Sequence, residues 1–227
     1  MPRAKRVAKR PDEKKSEATR RHLLDRALVL FRERGVDATT MRDIAKAAGL
    51  SLGAAYYYFP SKEALVFAYY EQNQVVMEEL AASATGTLRE KLGVLLHGKL
   101  RSIHDHRHML GTIVQRLIDP GDPLSAFSAQ TRAVRDRAIA ILEKPLRDEG
   151  VPDDVARVGA HALWLFMLAM MLVYIKDDSP KQKRTHGLVD DALDMLVPML
   201  PLLATPMGHA MVKRVVGALD RAGIAVG

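Results

Sequence analysis

Apolar positions recur at helical spacing along almost the whole chain, and no segment alternates as a strand would. Leu24, Ala27, Leu28 and Phe31 fall at i, i+3, i+4 and i+7, which predicts a first helix that Gly35 can stop in a left-handed conformation. Met41, Ile44, Ala45 and Ala48 repeat that spacing for a second helix, and Thr40 with Asp43 approximates a capping box at its start. Gly49 tolerates positive φ, Leu50 returns to the core, and Ser51 can cap a third helix running through Tyr57 or Tyr58. Ser61 caps the next, with Glu63 in its first turn favoured by the helix dipole. Helical patterns then cover 62–82, 87–105, 107–118, 124–148, 153–176, 181–197 and about 209–222, divided by Gly86, Pro120 to Pro123, Gly150 to Pro152 and Ser179-Pro180. Pro198 and Pro201 should end or kink the helix that begins near Lys181, because each lacks a donor and clashes with the preceding turn. The expected fold is all-α, without an internal repeat.

The second and third helices, joined by a tight turn, read as a helix-turn-helix. Tyr56, Tyr57 and Tyr58 are consecutive on a helix and point about 100° apart, so they cannot share one small core. Phe59 is the better core candidate. Outward phenols, with Lys62 a turn further on, are placed to meet phosphate oxygens and fix a docking register. Ser51 to Tyr57 holds no Arg, Asn or Gln, the side chains that read guanine or adenine with two bonds, so direct base contacts should be sparse. Gly53 and Ala54 permit close backbone approach, and Arg42 is the best single candidate for a guanine contact or a backbone clamp. The candidate DNA-binding set is Thr40, Arg42, Ser51, Leu52, Gly53, Ala54, Tyr56, Tyr57 and Lys62.

At these residues the chain resembles the TetR family of bacterial transcriptional regulators, whose signature runs T-x-R-x-I-A-x-x-A-G-V-S-x-G-x-L-Y-x-H-F-x-S-K-E-x-L. It matches at Thr40, Arg42, Ile44, Ala45, Ala48, Gly49, Ser51, Gly53, Tyr56, Phe59, Ser61, Lys62, Glu63 and Leu65. It departs at Leu50 for Val, at Ala55 for Leu and at Tyr58 for His. The first two changes concern packing; the third replaces an imidazole donor by a phenol. The resemblance implies a helix-turn-helix domain at 16–61, an all-helical ligand and dimer domain at 62–204, and a C-terminal helical extension at 205–227. It also implies a homodimer on palindromic double-stranded operator DNA, acting as a repressor released by a small molecule. In such relatives the last two long helices pair with their copies as a four-helix interface. By that resemblance Trp164, Met167, Met171 and Leu172, with Leu188, Ala192, Met195 and Met199, are candidates for core or interface. Met171, Leu188, Ala192, Met195 and Met199 are assigned to the interface.

Charge agrees with a nucleic-acid partner. The 227-residue chain carries 34 Lys and Arg against 27 Asp and Glu, a net +7, and seven of those cations against two acids lie in the first fifteen residues. This stretch, 1–15, reads as a disordered basic arm able to add phosphate contacts, or as a solvated tail. There are no cysteines, which removes thiolate metal sites and fits a reducing cytoplasm. Val158 to Ile175 lacks charge over eighteen residues, the rough length of a membrane span. Its Gly159 and His161 and its flanks Arg157 and Lys176, which show no charge asymmetry, favour a helix buried between a core and a subunit partner instead, and no membrane.

Three further patterns bear on function. Gly49-Leu50-Ser51-Leu52-Gly53 matches the nucleophile elbow G-x-S-x-G, which needs a strand before the serine; a helix is expected there, so the chain is read as no enzyme. His97, His104 and His108 fall on one helical stripe, a spacing that can chelate a metal, yet helix-end histidines are common and neither metal nor cofactor is expected. Eleven methionines suit an adaptable apolar interior. Residues 87–176 should therefore enclose an apolar pocket opening near His104 to Met109, with His97, His104, His108, Arg101, Gln115 and Arg116 as polar handles. Its candidate lining is His104, His108, Met109, Ile113, Leu117, Trp164 and Leu168, and its occupant a hydrophobic or amphipathic effector. The rival reading is an architectural DNA-binding protein with no effector.

Overall fold

The computed structural model describes residues 11–203 and 205–221, and every regular element among them is helical. Helices α1 (Pro11–Arg34), α2 (Met41–Ala47) and α3 (Leu52–Tyr58) form the N-terminal unit. Helix α4 (Lys62–Ser83) leaves it and packs on α5 (Leu88–Ser102). Two short helices, α6 (Arg107–Thr112) and α7 (Val114–Ile118), follow, and α6 lies against α1. Helices α8 (Arg132–Asp148), α9 (Asp153–Lys176) and α10 (Lys183–Leu196) complete the bundle, with α8 on α9 and α4, and α10 on α5. Helices α11 (Leu200–Leu203) and α12 (Pro206–Arg221) close the chain.

Three boundaries differ from the sequence pattern. Residues 11–15, expected in the arm, are helical, with Pro11 in the first turn where its missing N–H costs nothing; residues 1–10 lie outside the described residues. Residues 124–131 are turns rather than helix, because side chains there satisfy the backbone locally. The Asp122 carboxylate accepts from the Leu124 N–H at 2.8 Å, and Thr131 Oγ1 donates to the Ser125 carbonyl at 2.6 Å. Ser128 Oγ likewise donates to the Pro123 carbonyl at 2.9 Å. Such bonds offer the chain an alternative to the helical ladder. The stretch 107–118 breaks at Ile113, where ψ is 11° and the Thr112 hydroxyl donates back to Met109. The proline expectation holds: α10 gives way to a 3-10 turn, Val197–Met199.

One continuous core runs from Leu23 to Leu193. Leu23, Phe31, Ile44, Phe59 and Leu65 fill it in the N-terminal unit, and Leu92, Leu95, Leu96, Leu100, Met109 and Tyr174 in the bundle. Helix α9 is long and apolar enough to cross a membrane by length and composition, a test that the core helix of a soluble bundle also passes. Here it buries Val155, Ala156, Ala160, Leu163, Trp164, Met167 and Tyr174.

The histidine stripe is dispersed, because α5 ends at Ser102. His97 Nε2 donates to Asp190 at 3.0 Å and its Nδ1 faces Nδ1 of His186 at 2.8 Å. His104 meets the Tyr174 hydroxyl at 3.0 Å, and His108 donates to the Arg32 carbonyl at 2.7 Å. No group of three or more metal-ligating side chains occurs among the described residues. Since one of the two facing Nδ1 atoms must supply a lone pair, His97 and His186 cannot both be charged without breaking the contact. Burial, and then the field of His97, push the His186 imidazole below its ordinary value. An unfolded chain binds that proton near the ordinary imidazole pKa of about 6.5, the native one only at lower pH, so stability is lost as pH falls through that window. His106 is lowered by burial and adds the same sign. The melting temperature should drop by a few degrees between pH 7.5 and 5.5, and His186→Gln should flatten the slope. An unchanged slope would place the acid sensitivity elsewhere.

Candidate functional site

The reader is built by capping. Thr40 Oγ1 accepts from the Asp43 N–H at 3.2 Å, and the Asp43 carboxylate accepts from the Thr40 hydroxyl at 2.6 Å and the Thr40 N–H at 3.0 Å, two bonds that hold its pKa below the usual carboxylate range. The α2–α3 turn is a Schellman arrangement: Gly49 has φ +66°, its N–H meets the Lys46 carbonyl, and the Leu50 N–H meets the Ala45 carbonyl. Ser51 Oγ then accepts from the Ala54 N–H at 3.1 Å and starts α3. A helix precedes Ser51, so the G-x-S-x-G match has no elbow geometry.

This folding sorts the aromatic run as the periodicity requires. Phe59 is buried, with the Arg20 guanidinium 4.5 Å from its ring centre. Tyr58 packs partly on the core and edge-on to Tyr57, whose own ring is 81% exposed; Tyr56 is exposed as well. Thr40, Arg42, Ser51 and Gly53 are exposed beside them, Leu52 and Ala54 are half-buried, and nothing lies within 4 Å of a Cβ built on Gly53. Lys62 is placed otherwise. Its ammonium donates to the carbonyls of Val36 at 2.8 Å and Asp37 at 3.1 Å, so it braces the α1–α2 turn and keeps one N–H for any phosphate.

In the bundle, α4, α5, α8 and α9 enclose a cavity of about 330 Å³, near the lower end of the range for small-molecule sites. Of the candidate lining residues, Leu117, Trp164 and Leu168 lie in its wall. His104, His108, Met109 and Ile113 do not: the two histidines are tied to Tyr174 and Arg32, while Met109 and Ile113 are wholly buried in the core. Met171, an interface candidate, is among the residues that line the cavity. The exposed lining residues Ile118, Phe127 and Leu165 place the mouth at the turn-rich 118–131 segment, away from the His104–Met109 junction. Sequence reasoning missed the polar part of the wall, Tyr69, Asn73, Gln74 and Lys99. A signal existed: Lys99 sits on the buried stripe of Leu92, Leu95, Leu96 and Ile103, where a cation is unexpected.

The segment from Arg107 to Ile118 touches both regions. Leu110, Leu117 and Ile118 line the cavity. From the same segment His108 binds the Arg32 carbonyl, and Arg116 reaches Asp122 at 2.8 Å, Glu63 at 3.1 Å and Asp37 at 3.4 Å. A Cβ on Gly35 would meet Thr112 Cγ2 at 2.9 Å, so the end of α1 and α6 are in close contact. Arg107 anchors the other side by donating to the carbonyls of Ile175 and Asp177 at the end of α9.

On α10 and the 3-10 turn after it, Leu188, Met195 and Met199 are exposed, Met195 at 65%, and Ala192 is half-exposed. Leu165 and Val173 of α9 and Leu196 and Leu202 near α10 are also exposed.

Comparison with known proteins agrees with this architecture. Residues 23–69 match the model for bacterial regulatory proteins of the tetR family, and residues 91–210 match the tetracyclin repressor-like C-terminal domain. The chain is 57% identical over 47 residues to the HTH-type transcriptional repressor KstR2 of Rhodococcus jostii, a match covering 21% of this chain and 23% of that relative. It is 37% identical over 156 residues to KstR2 of Mycolicibacterium smegmatis, covering 63% of this chain and 70% of that one. Its fold resembles that of NalD, the secondary repressor of the MexAB-OprM multidrug efflux pump in Pseudomonas aeruginosa, with TM-score 0.58 and 24% identity over 79% of this chain and 95% of that one. With its helix-turn-helix and its C-terminal domain both matched, the chain belongs to the TetR family and is a DNA-binding transcriptional regulator, not an enzyme.

Proposed function

We propose that the chain is a cytoplasmic, homodimeric repressor that binds a palindromic operator through α2 and α3 and leaves it when a small apolar molecule fills the cavity. One observation carries this reading: the Arg107–Ile118 segment lines the cavity with Leu110 and Leu117 while holding the reader through His108 and Arg116. A ligand that fits only with this segment displaced favours the state in which α1 and α4 are differently held, and weakens DNA binding by its differential affinity for the two states. The names of the relatives, both repressors, support the sign of the effect. The exposed apolar face of α9 and α10 supports the homodimer, since a patch of this kind marks an interaction surface.

Footprinting the DNA beside its own gene, with and without compounds that raise the melting temperature, tests the proposal. Protection should span two half-sites about 34–36 Å apart or a multiple. Compounds that stabilise the protein yet leave the footprint intact would favour the architectural protein.

Tyr57→Ala should weaken binding to operator and unrelated DNA alike, by about 0.5–1.5 kcal/mol for a lost phosphate bond. Arg42→Ala should instead change base preference, and a uniform loss would assign Arg42 to the backbone. Met195→Glu should give a monomer by sedimentation with near non-specific DNA affinity; a dimeric variant would move the interface elsewhere. Arg116→Ala should leave compound binding within about twofold while shrinking the effect of the compound on operator affinity, typically ~1–3 kcal/mol when coupling is intact. Full retention of that effect would remove Arg116 from the coupling.

A further inference from the structure

The cavity wall carries a cation with nothing to neutralise it. Of the residues lining the cavity none is Asp or Glu, and the ammonium of Lys99 has no carboxylate partner among the described residues. It donates to Asn73 Oδ1. Asn73 is fixed in turn: its Nδ2 donates to Ser102 Oγ at 2.8 Å, and that hydroxyl donates to the carbonyl of Lys99 at 2.7 Å. This closed chain aims the amide oxygen at the ammonium and leaves two of its three N–H donors unassigned. One turn earlier on α4, the hydroxyl of Tyr69 is buried and has no hydrogen-bond partner. The other polar groups of the wall are committed: Tyr70 and Arg135 donate to the carbonyls of Leu124 and Ala126, Thr131 donates to that of Ser125, and Gln74 leans on Glu78. The remaining wall is apolar, formed by Leu117, Trp164, Leu168, Met171 and their neighbours.

An ammonium without a counter-charge in such a place carries a desolvation penalty, and a buried hydroxyl without a partner adds to it. A ligand anion removes both penalties at once. The other cation of the wall, Arg135, has the Asp136 carboxylate 3.7 Å from its Nε, so Lys99 is the one without a carboxylate among the described residues; charge balance selects one negative charge, and the apolar wall selects a hydrocarbon body.

We propose that the cavity binds apolar monocarboxylates, the hydrocarbon body lying against Trp164 and Leu168 and the carboxylate accepting from Lys99 Nζ and the Tyr69 hydroxyl. This deepens the effector reading by naming the chemical class, and it rests on the cavity being the effector site. The carboxylate completes an ion pair that the folded chain leaves half built, and so distinguishes an acid from the alcohol or hydrocarbon of the same shape. Tyr69→Phe removes the second donor without changing the shape of the wall.

Titration supplies an independent readout. Burial pushes the Lys99 ammonium down to about 8, and no neighbouring charge contributes to the shift. The groups facing it differ: burial pushes Tyr69 and Tyr70 on α4 above the usual phenol range, and His106, its ring tilted against Tyr69 at 4.6 Å, is pushed below its ordinary value by burial. Arg135 faces the cavity from α8, its guanidinium on Ala126. Above pH 8 the free site loses its charge, so Lys99 must take up a proton when the carboxylate binds, and the affinity for the acid falls.

Calorimetric titration of the DNA-free protein with dodecanoate and with dodecan-1-ol, both as monomers, tests the proposal. At pH 7 dodecanoate should bind one per chain and at least tenfold tighter than the alcohol. Lys99→Met should cost dodecanoate at least tenfold, Tyr69→Phe about threefold, and leave the alcohol within twofold. In the unmodified protein the affinity for dodecanoate, and not for dodecan-1-ol, should fall between pH 8 and 9. The proposal is overturned if neither probe binds, if the alcohol equals the acid, if Lys99→Met weakens both alike, or if the acid shows no pH dependence in that range. An acid that binds through Lys99 but leaves operator affinity unchanged would sink the release mechanism and leave this assignment standing.

Discussion

The Arg116 guanidinium is the joint on which reader and bundle both depend. It sits between Asp37 at the entrance to the reader, Glu63 at the start of α4 and Asp122 in the turn that closes the cavity. Its hydrogen bond to Asp122 is the largest cause of its raised pKa, and the reciprocal bond holds Asp122 below the usual carboxylate range. Three carboxylates around one cation leave a local excess of negative charge, so the cluster tolerates Arg116 and little else. Charge-assisted bonds of this kind contribute about 1.5–3 kcal/mol where shielded, and less for Asp37, which is largely exposed. The same residue thus fixes the turn after α1, the first turn of α4 and the 119–122 turn against one another.

Around that joint the parts divide by rigidity. The reader is over-determined: two capping oxygens, a Schellman turn and the two Lys62 bonds fix α2 and α3, and the core residues Ile44, Ala55 and Phe59 hold them to α1. Helices α6 and α7 are short, separated by a break at Ile113 and lack side-chain caps. A short helix gains little from its own hydrogen bonds and takes its stability from packing, which is why the proposed release mechanism runs through this segment.

How much of this could be read from the sequence follows from how local each feature is. The helix-turn-helix was legible because Thr40, Gly49, Ser51 and Ser61 act on residues within a turn of themselves, and spacing alone separates Phe59 from Tyr57. The all-helical class was legible for the same reason. The cavity was not. Its wall draws on residues from Tyr69 to Ile175, and a stripe such as Leu110 to Leu117 says that a face is buried without saying whether against a neighbour or a void. The histidines attracted attention by type, yet a helix break after Ser102 and partners as distant as Arg32 and Asp190 dispersed them. Lys99 was visible only as a cation out of place on an apolar stripe.

Reciprocity between the two sites is the most direct measure of the central claim, that the Arg107–Ile118 segment joins cavity and reader into one equilibrium. A ligand that weakens operator binding by some factor must itself be weakened by the same factor when the operator is bound. Titrating one cavity ligand into the free protein and into the operator complex gives both affinities. Coupling through this segment requires a loss of ligand affinity in the complex equal to the loss of operator affinity caused by the ligand; identical affinities for free and DNA-bound protein would contradict it.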